Sequence, residues 1–535
     1  MDDRRHGRGE VAADRLVTRP RAAKGRTRRV PAACGFFFLL VGSASIDCGQ
    51  TSEAPSGPLV VRIGVPEVAV SAANIGLSPV AAFLTTEGLT TRNHDGRIRP
   101  LLAESWTSSD NGLTWRFYLR SGVTFHDGTL ATADVVAEAL RASIARQQRR
   151  GFSPGLEDIV SVQAAGPAEI GIRLRRRSTF LLEDLEVPIS RVRPDKSVVA
   201  TGAFKTVSEN DSEIVLEAYD AYHQGRPQID RVNIRAYPTL RTAWASLMRK
   251  EIDVLWDLSR DAVEFAGSSD VALYSYLRQY VYTVGFNSAR GKFTRTSVRR
   301  ALNAAIDRDA LIRDVLGGQG VPATGPIWPH HWAFDPNVKG YVHDPLLASA
   351  TLDAIGLKPV SQPDGRRSRF TFTCILPENW ANWERMALNI QKQLYDVAVD
   401  MQLQVVSAEE FDKRLRTGDF DAVMVEMLSG PFLSRPYSFW RWGGEQKPYN
   451  VFGYRNAAAD RWFDAIRSAP TDAEYRVAVG QLQRVIIDDP PALFLAWSER
   501  TRAASRRFHV PMEPGRDPIP SFWRWTVNHG AATTH

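Results

Sequence analysis

Apolar positions along the chain divide it, from about residue 58, into strands and helices. Residues 59–65 form a β-branched run typical of a buried strand, and residues 114–119 alternate apolar with polar side chains. Thr132 is placed to cap a helix that extends to about Gln147. From about residue 198 strand-like and helix-like segments alternate, which predicts mixed-sheet α/β domains with a cleft between them.

The pattern in this second part is regular enough to predict its elements one by one. The expected strands are 214–218, 232–236, 252–256, 281–286, 369–375, 399–406, 421–427 and 492–496. The expected helices are 239–250, 295–316, 380–397 and 408–417, with two more near 457–468 and 471–488.

The first 57 residues differ from the rest in charge and composition. Residues 1–30 carry ten Lys and Arg against four acids, although the net charge of the whole chain is only +7. An apolar stretch of 12 residues, 30–41, follows, and then small residues, Cys48 and a polar tether. This order predicts an export signal. Two processing routes stay open, lipid attachment at Cys48 or plain cleavage after Ser45. Because the remaining chain is close to neutral, a nucleic-acid partner is not expected.

Candidate chemistry elsewhere is sparse. The sequence lacks G-x-S-x-G, H-E-x-x-H, Walker-type and G-x-G-x-x-G motifs in usable contexts, so an enzyme is not expected. His330 and His331 are adjacent without a further ligand at metal spacing, which favours a surface loop and no metal. Cys374 lies in a strand-like alternation and is expected to be a small buried hydrophobe.

Several motifs in fixed order carry a family resemblance. They are Glu87 to Thr90, Asp95 to Trp106, Leu119 to Gly128, Thr132 to Val136, and Val298 to Arg308. On these motifs, over roughly residues 59–500, the chain resembles the extracellular solute-binding proteins that include the oligopeptide, dipeptide and nickel receptors of ABC importers.

The resemblance implies a periplasmic-binding-protein-like α/β fold of two lobes, with mixed sheets, a hinge and an extra subdomain in the first lobe. The implied divisions are a signal segment and tether (1–57), lobe I (58–100 and 198–284), its extra subdomain (101–197), lobe II (285–498) and a C-terminal return to lobe I (499–535).

The implied function is that of a receptor without a cofactor. It would capture a peptide or another small polar, anionic or sugar-like ligand between closing lobes and deliver it to the permease subunits of an ABC importer. The expected protein is a monomer in the periplasm or on the outer face of the cytoplasmic membrane, attached to the membrane if Cys48 is lipidated. A non-transporting envelope sensor or interaction protein on the same fold is the alternative.

One loop departs from the family pattern. In the family's peptide receptors an Asp of this loop pairs with the α-ammonium group of the peptide. Here no acid lies between Met427 and Gly444, and the corresponding position falls near Gly430. A buried ammonium without a carboxylate partner costs several kcal/mol, so an ordinary peptide N-terminus would be poorly held.

The ligand-binding residues expected around this loop combine guanidinium with aromatic groups. Arg435, Tyr437 and Trp440 suit a carboxylate, a phosphate or a sugar face, while Glu426 or Glu87 could replace the absent acid. Further cleft candidates at strand ends are Trp256, Tyr280, Tyr282, Trp380 and Trp497.

Overall fold

The computed structural model describes residues 57–66, 77–150, 153–258, 270–363, 365–444, 450–512 and 515–528. Cys48 and the predicted export signal lie outside these residues. The α-helices are α1 (Ser78–Thr85), α2 (Ala133–Arg150), α3 (Pro154–Glu157), α4 (Phe180–Asp184), α5 (Leu240–Met248), α6 (Thr296–Ala304), α7 (Arg308–Val315), α8 (Pro345–Ala354), α9 (Ala381–Asp396), α10 (Ala408–Thr417), α11 (Ser434–Trp440), α12 (Ala457–Ser468) and α13 (Asp472–Asp488).

The strands, in chain order, are β1 (Val60–Pro66), β2 (Thr90–Arg92), β3 (Ile98–Pro100), β4 (Ala103–Ser109), β5 (Thr114–Leu119), β6 (Ile159–Gly166), β7 (Glu169–Leu174), β8 (Arg191–Val192), β9 (Val198–Val199), β10 (Phe204–Glu209), β11 (Glu213–Ala218), β12 (Arg231–Tyr237), β13 (Val254–Leu258), β14 (Val271–Phe286), β15 (Gly320–Pro322), β16 (Val360–Ser361), β17 (Arg367–Ser368), β18 (Phe370–Pro377), β19 (Val399–Val406), β20 (Ala422–Leu428), β21 (Ala492–Ser505), β22 (Phe508–His509) and β23 (Thr526–Val527).

The largest sheet has the order β10-β11-β12-β1-β13-β21-β14-β20-β18-β19, with β15 paired to β21. In its first half β1 is parallel to β12 and β13, and in its second half β18 is parallel to β19 and β20. β21 and β14 are antiparallel to each other and stand between the halves. The sheet is therefore mixed, as the alternating pattern predicts.

Two long strands join the halves of this sheet. β14 has 16 residues and β21 has 14. The C-terminal part of β21 pairs with β13, whereas residues 280–286 of β14 pair with β20. We call β14 and β21 the crossing strands. The lobe boundaries expected at 284 and 498 fall inside them, and the division into domains stays a prediction.

A separate sheet, β4-β5-β7-β6, lies within residues 101–197. It has its own apolar core, which includes Phe117, Leu140 of α2 and Ile170. The extra subdomain expected in that part of the chain stays a prediction.

The predicted helix 295–316 is wrong in one respect, because the structure divides it into α6 and α7. The first helix ends at Ala304, and the side chain of Asp307 accepts a hydrogen bond from the backbone N–H of Ala310, which caps α7. The buried Arg308 beside it donates to the carbonyl oxygen of Phe494 at 2.7 Å. Capping by Asp307 therefore interrupts an apolar stripe that otherwise suggests one continuous helix.

Candidate functional site

A polar region lies on one face of the large sheet, between two apolar cores. On this face the core near β13 includes Val254 and Ala504, and the core near β20 includes Val284 and Met424. Between them the crossing strands carry polar side chains, with Tyr276 directly opposite Arg500. We call this region the crossing face and define it by Trp256, Asp257, Tyr276, Arg278, Tyr280, Glu426, Arg500 and Arg502.

A β-bulge in β13 places two consecutive side chains on the crossing face. Leu255 pairs with Ala503 and Leu258 pairs with Thr501, so Trp256 and Asp257 together oppose the single residue between 501 and 503. Bulges of this kind aim side chains and are frequent beside binding sites. The bulge explains how a buried carboxylate comes to stand next to an aromatic ring.

A second irregularity lies in β14. Leu277 pairs with Glu499 and Val281 with Trp497, so three residues of β14 face one residue of β21. In this segment the carbonyl oxygen of Gln279 accepts the backbone N–H groups of Ser429 and Gly430, both at 2.9 Å. The loop after β20 is thereby fixed to the middle of the crossing strands.

Three ion pairs occupy the crossing face. Arg278 pairs with Glu426, and Arg500 pairs with Asp257. Arg502 pairs with Asp517 at 2.5 Å. The carboxylates of Asp257 and Glu426 are almost fully buried, at 5% and 8% exposure. Neither is therefore available as a substitute for the absent acid without first losing its arginine.

Aromatic rings surround these ion pairs. The guanidinium of Arg502 lies between Trp256 and Tyr276, at 3.8 and 5.2 Å from the ring centroids. The guanidinium of Arg278 lies 4.8 Å from the ring centroid of Tyr280. Burial raises the pKa of the Tyr282 phenol, so this side chain stays neutral. Of the predicted contacts, Trp256, Tyr280 and Tyr282 thus lie together at this face.

The acid-free loop donates hydrogen bonds to carboxylates at the end of α4. Glu183 at the end of α4 accepts the backbone N–H groups of Leu433 and Ser434 at 3.0 Å, at the start of α11. Asp184 accepts the hydroxyl of Ser434 at 3.1 Å and the N–H of Gly155 at 2.8 Å. Burial raises the pKa of Glu183 to about 7 and that of Asp184 to about 6.

Arginines balance part of this acidic cluster. Arg92 forms an ion pair with Glu186 and lies 3.2 Å from the ring centroid of Phe432. Arg435 lies 5.6 Å from the same ring, and its charge opposes the pKa increase of Asp184. Arg435 therefore interacts with a buried contact between α4 and α11.

The other predicted loop residues are buried among side chains of the second half. Trp440 is fully buried and stacks on Phe452, with ring centroids 4.8 Å apart. The hydroxyl of Tyr437 accepts a hydrogen bond from Arg467 at 2.7 Å and donates one to Asp464 at 3.2 Å.

The remaining candidates lie apart from the crossing face. Trp497 is 1% exposed and belongs to the core around α11–α13. Trp380 is partly buried against Trp383, 4.4 Å between ring centroids, just before α9. Their role as ligand contacts, like that of the whole predicted set, stays a prediction.

Glu87 is buried and fully hydrogen-bonded. It accepts bonds from the hydroxyls of Tyr222 at 2.8 Å and Thr201 at 3.1 Å, and its oxygens lie 3.1 and 3.2 Å from Nε2 of His223. A ligand ammonium would have to displace these partners.

Sequence reasoning missed the charged residues of the crossing face, namely Asp257, Arg278, Arg500 and Arg502. The signal was present in the alternation of Arg500, Thr501 and Arg502, which is a strand period with charge on one face. The expected strand, 492–496, ends before this alternation begins.

Of the two adjacent histidines, His330 is exposed in a turn, whereas His331 differs from its prediction. His331 is 4% exposed rather than on a surface loop; its Nδ1 accepts the N–H of Ala333 at 3.1 Å, and burial lowers its pKa to about 3. Within the described ranges no group of three or more His, Cys, Asp or Glu side chains is arranged to hold a metal ion. Among the described helices, none has the length and apolar content needed to cross a bilayer.

Comparison with known proteins identifies relatives of the chain. Residues 97–450 match the family described as bacterial extracellular solute-binding proteins, family 5 Middle. The oligopeptide-binding protein AppA of Bacillus subtilis is 26% identical over 468 residues, which cover 81% of this chain and 85% of AppA. The nickel-binding periplasmic protein of Escherichia coli is 26% identical over 422 residues, 71% of this chain and 78% of that protein.

Solved structures agree in fold. NikA from Brucella suis, in complex with Fe(III)-EDTA, has a TM-score of 0.76 at 20% identity, covering 88% of this chain and 100% of that one. AgaA of A. tumefaciens R10, in complex with agropinic acid, has a TM-score of 0.70 at 22% identity, covering 88% and 99%. The predicted α/β fold of two lobes is confirmed.

Proposed function

Because this chain belongs to family 5 of the bacterial extracellular solute-binding proteins, we propose that it captures a small solute over the crossing face and passes it to an ABC permease. Its class is that of the substrate-binding proteins of peptide and nickel importers. The relatives are binding proteins rather than enzymes. No observation favours the alternative of a sensor that does not transport.

One observation carries the placement of the solute. The crossing strands connect the two halves of the large sheet, and their polar side chains lie between the apolar cores of the halves. A cleft floored by the connecting strands is the place where two lobes can close around a ligand. Closure would then change the angle between the halves without separating them.

Export and membrane attachment are part of the proposal. The basic, apolar and small-residue segments before Cys48 support export, and Cys48 is the proposed lipid-bearing residue. Intact-mass analysis of the mature protein separates the two routes, because a lipidated chain begins at a modified Cys48. A chain that begins at Ile46, without added mass, would support plain cleavage and exclude the anchor.

The test of solute capture uses protein purified from cells. Native mass spectrometry should show a retained small molecule, and adding that molecule back to stripped protein should raise the melting temperature. Absence of both a co-purified molecule and any stabilisation by short peptides, opines and oligosaccharides would contradict the proposal.

A further inference from the structure

The three arginines of the crossing face are not equivalent. Arg502 donates from Nε and Nη2 to Asp517 and from Nη1 to the carbonyl oxygen of Trp256, so all three of its nitrogens have protein acceptors. Arg278 donates from Nη1 alone, to Glu426 and Ser498, and its side chain is only 13% exposed. The guanidinium of Arg502 is therefore committed to the protein, and that of Arg278 is less exposed than that of Arg500, whose side chain is 29% exposed.

Arg500 keeps donors that the protein does not use. Its Nη1 donates to Asp257, and its side chain is 29% exposed. Among the described residues, Nε and Nη2 of Arg500 have no acceptor, and neither nitrogen is among the buried unpaired atoms, so both reach solvent. The buried Asp257 therefore holds one end of a guanidinium whose other donors are open.

Each of the three arginines is paired with one carboxylate, so the crossing face offers an anion an exposed guanidinium donor rather than a net positive charge. Glu426 is taken by Arg278 and Asp517 by Arg502, while Asp257 is buried. A guanidinium with open donors matches the oxygens of a carboxylate or phosphate, and charge-assisted bonds of this kind are about twice as strong as neutral ones. An ammonium group finds no carboxylate outside these three ion pairs on the crossing face, in keeping with the absence of acids from 427–444.

We propose that Arg500 binds a carboxylate or phosphate group of the transported solute and that Asp257 is its positioning residue. The proposal rests on the proposed function and deepens it, because it gives the cleft floor a charge preference. Tyr276, directly opposite Arg500 on the neighbouring strand, supplies a flat apolar surface beside the bound anion.

The experiment compares solutes that differ only in charge. Each probe pair consists of an acid and its neutral counterpart. The pairs are an N-acetylated dipeptide and the same dipeptide as its C-terminal amide, galacturonate and galactose, and glucose 6-phosphate and glucose. Any co-purified solute is compared with its neutral derivative in the same way. Affinities are measured by calorimetry for the wild type, Arg500→Gln and Arg500→Lys. Arg313→Gln is the control, since Arg313 forms an exposed pair with Asp314.

In the wild type, the acid of any probe pair that binds should bind more tightly than its neutral counterpart. Comparing the carboxylate probes with the phosphate probe shows which oxyanion is accepted. Arg500→Gln should weaken acid binding on the order of 10- to 100-fold and leave the neutral partner unchanged. Arg500→Lys should retain part of the preference, and Arg313→Gln all of it.

A second variant guards against misfolding, because Arg500→Gln leaves the charge of Asp257 buried and unpaired. The double variant Asp257→Asn, Arg500→Gln removes both charges and should fold, as circular dichroism would show, while losing the acid preference. Equal binding of acid and neutral solutes by the wild type, or a preference that survives in the folded double variant, overturns the proposal while capture itself stands. If no probe and no co-purified solute binds the wild type, the proposed function fails as well.

Discussion

Gly430 lies directly against Gln279 of the crossing strands. Its backbone N–H donates to the carbonyl oxygen of Gln279 at 2.9 Å, and a Cβ added at Gly430 would come within 2.6 Å of the Cβ of Gln279. The backbone φ angle of Gly430 is +30°, a conformation that residues other than glycine rarely adopt. The position near Gly430, where the family resemblance implies the ammonium-binding Asp of the peptide receptors, is thus packed against Gln279.

Replacing Gly430 by Asp should therefore destabilise the protein rather than restore ammonium binding. Strain at positive φ and the clash with Gln279 together predict a loss of about 2–4 kcal/mol in the free energy of unfolding. Urea denaturation measures it. Gly418→Ala is the control, because Gly418 also has positive φ (+68°) but no atom within 4 Å of an added Cβ. Equal losses in the two variants would refute the clash.

The contact of Glu183 with the start of α11 should make stability depend on pH. Burial raises the pKa of Glu183 from 4.5 to about 7, so the protonated form favours folding. This contribution is fully present below about pH 4.5 and is lost as the pH rises through 7, on the order of 1–3 kcal/mol.

Glu183→Gln, which keeps an acceptor for Leu433 and Ser434, should flatten that part of the profile. Thermal melting between pH 4.5 and 8 checks it, with the exposed Glu138→Gln as control. An unchanged slope in Glu183→Gln would show that Glu183 does not titrate in this range.

Replacing Trp440 should lower the stability of the protein. Trp440 is fully buried, stacks on Phe452 and lies 5.5 Å, centroid to centroid, from Phe494. Trp440→Ala leaves a cavity and should lower the free energy of unfolding by about 3–5 kcal/mol. Tyr280→Ala, at the half-buried edge of the crossing face, should cost less. Chemical denaturation of both variants compares them, and a smaller loss for Trp440→Ala would contradict its core position.

Cys374 should be unreactive in the folded protein. The residue is buried, and burial raises the pKa of its thiol to about 12, so the thiolate that reacts with alkylating agents is scarce at neutral pH. Iodoacetamide followed by peptide mapping should leave Cys374 unmodified in buffer and modify it in denaturant. Rapid labelling of the native protein at this site would refute the prediction.

Several elements in the second half of the chain are predicted correctly at both ends. The strand at 399–406 and the helices at 408–417 and 457–468 agree with the structure at both ends. Ser407 and Asn456 cap the two helices with their side chains, and Gly418 ends the first in a left-handed conformation. Local capping signals of this kind are visible in a sequence.

The crossing strands were predicted at less than half their length. Residues 281–286 were expected where β14 begins at Val271, and residues 492–496 where β21 continues to Ser505. The missing parts contain the polar side chains of the crossing face, which lack the apolar periodicity of a buried strand. Their polar side chains make these segments a candidate site, and the same side chains remove the apolar pattern by which a strand is predicted.

The candidate site itself depends on contacts distant in sequence. Asp257 and Arg500 are 243 positions apart, and Glu183 and Ser434 are 251 apart. Pairings over such distances follow from strand order and from the β13 bulge, which a single sequence does not reveal. Gly430 and the lack of an acid beside it can be recognised from the sequence. The packing of Gly430 against Gln279 cannot.

The position of β21 near the end of the chain has a consequence for the order of folding. β13, β14 and β15 all pair with it, yet residues 492–505 are synthesised after every other strand of the large sheet. The nascent chain therefore lacks the partner that joins both halves until almost all of it has been made. The large sheet therefore cannot be completed across its two halves before residues 492–505 are available.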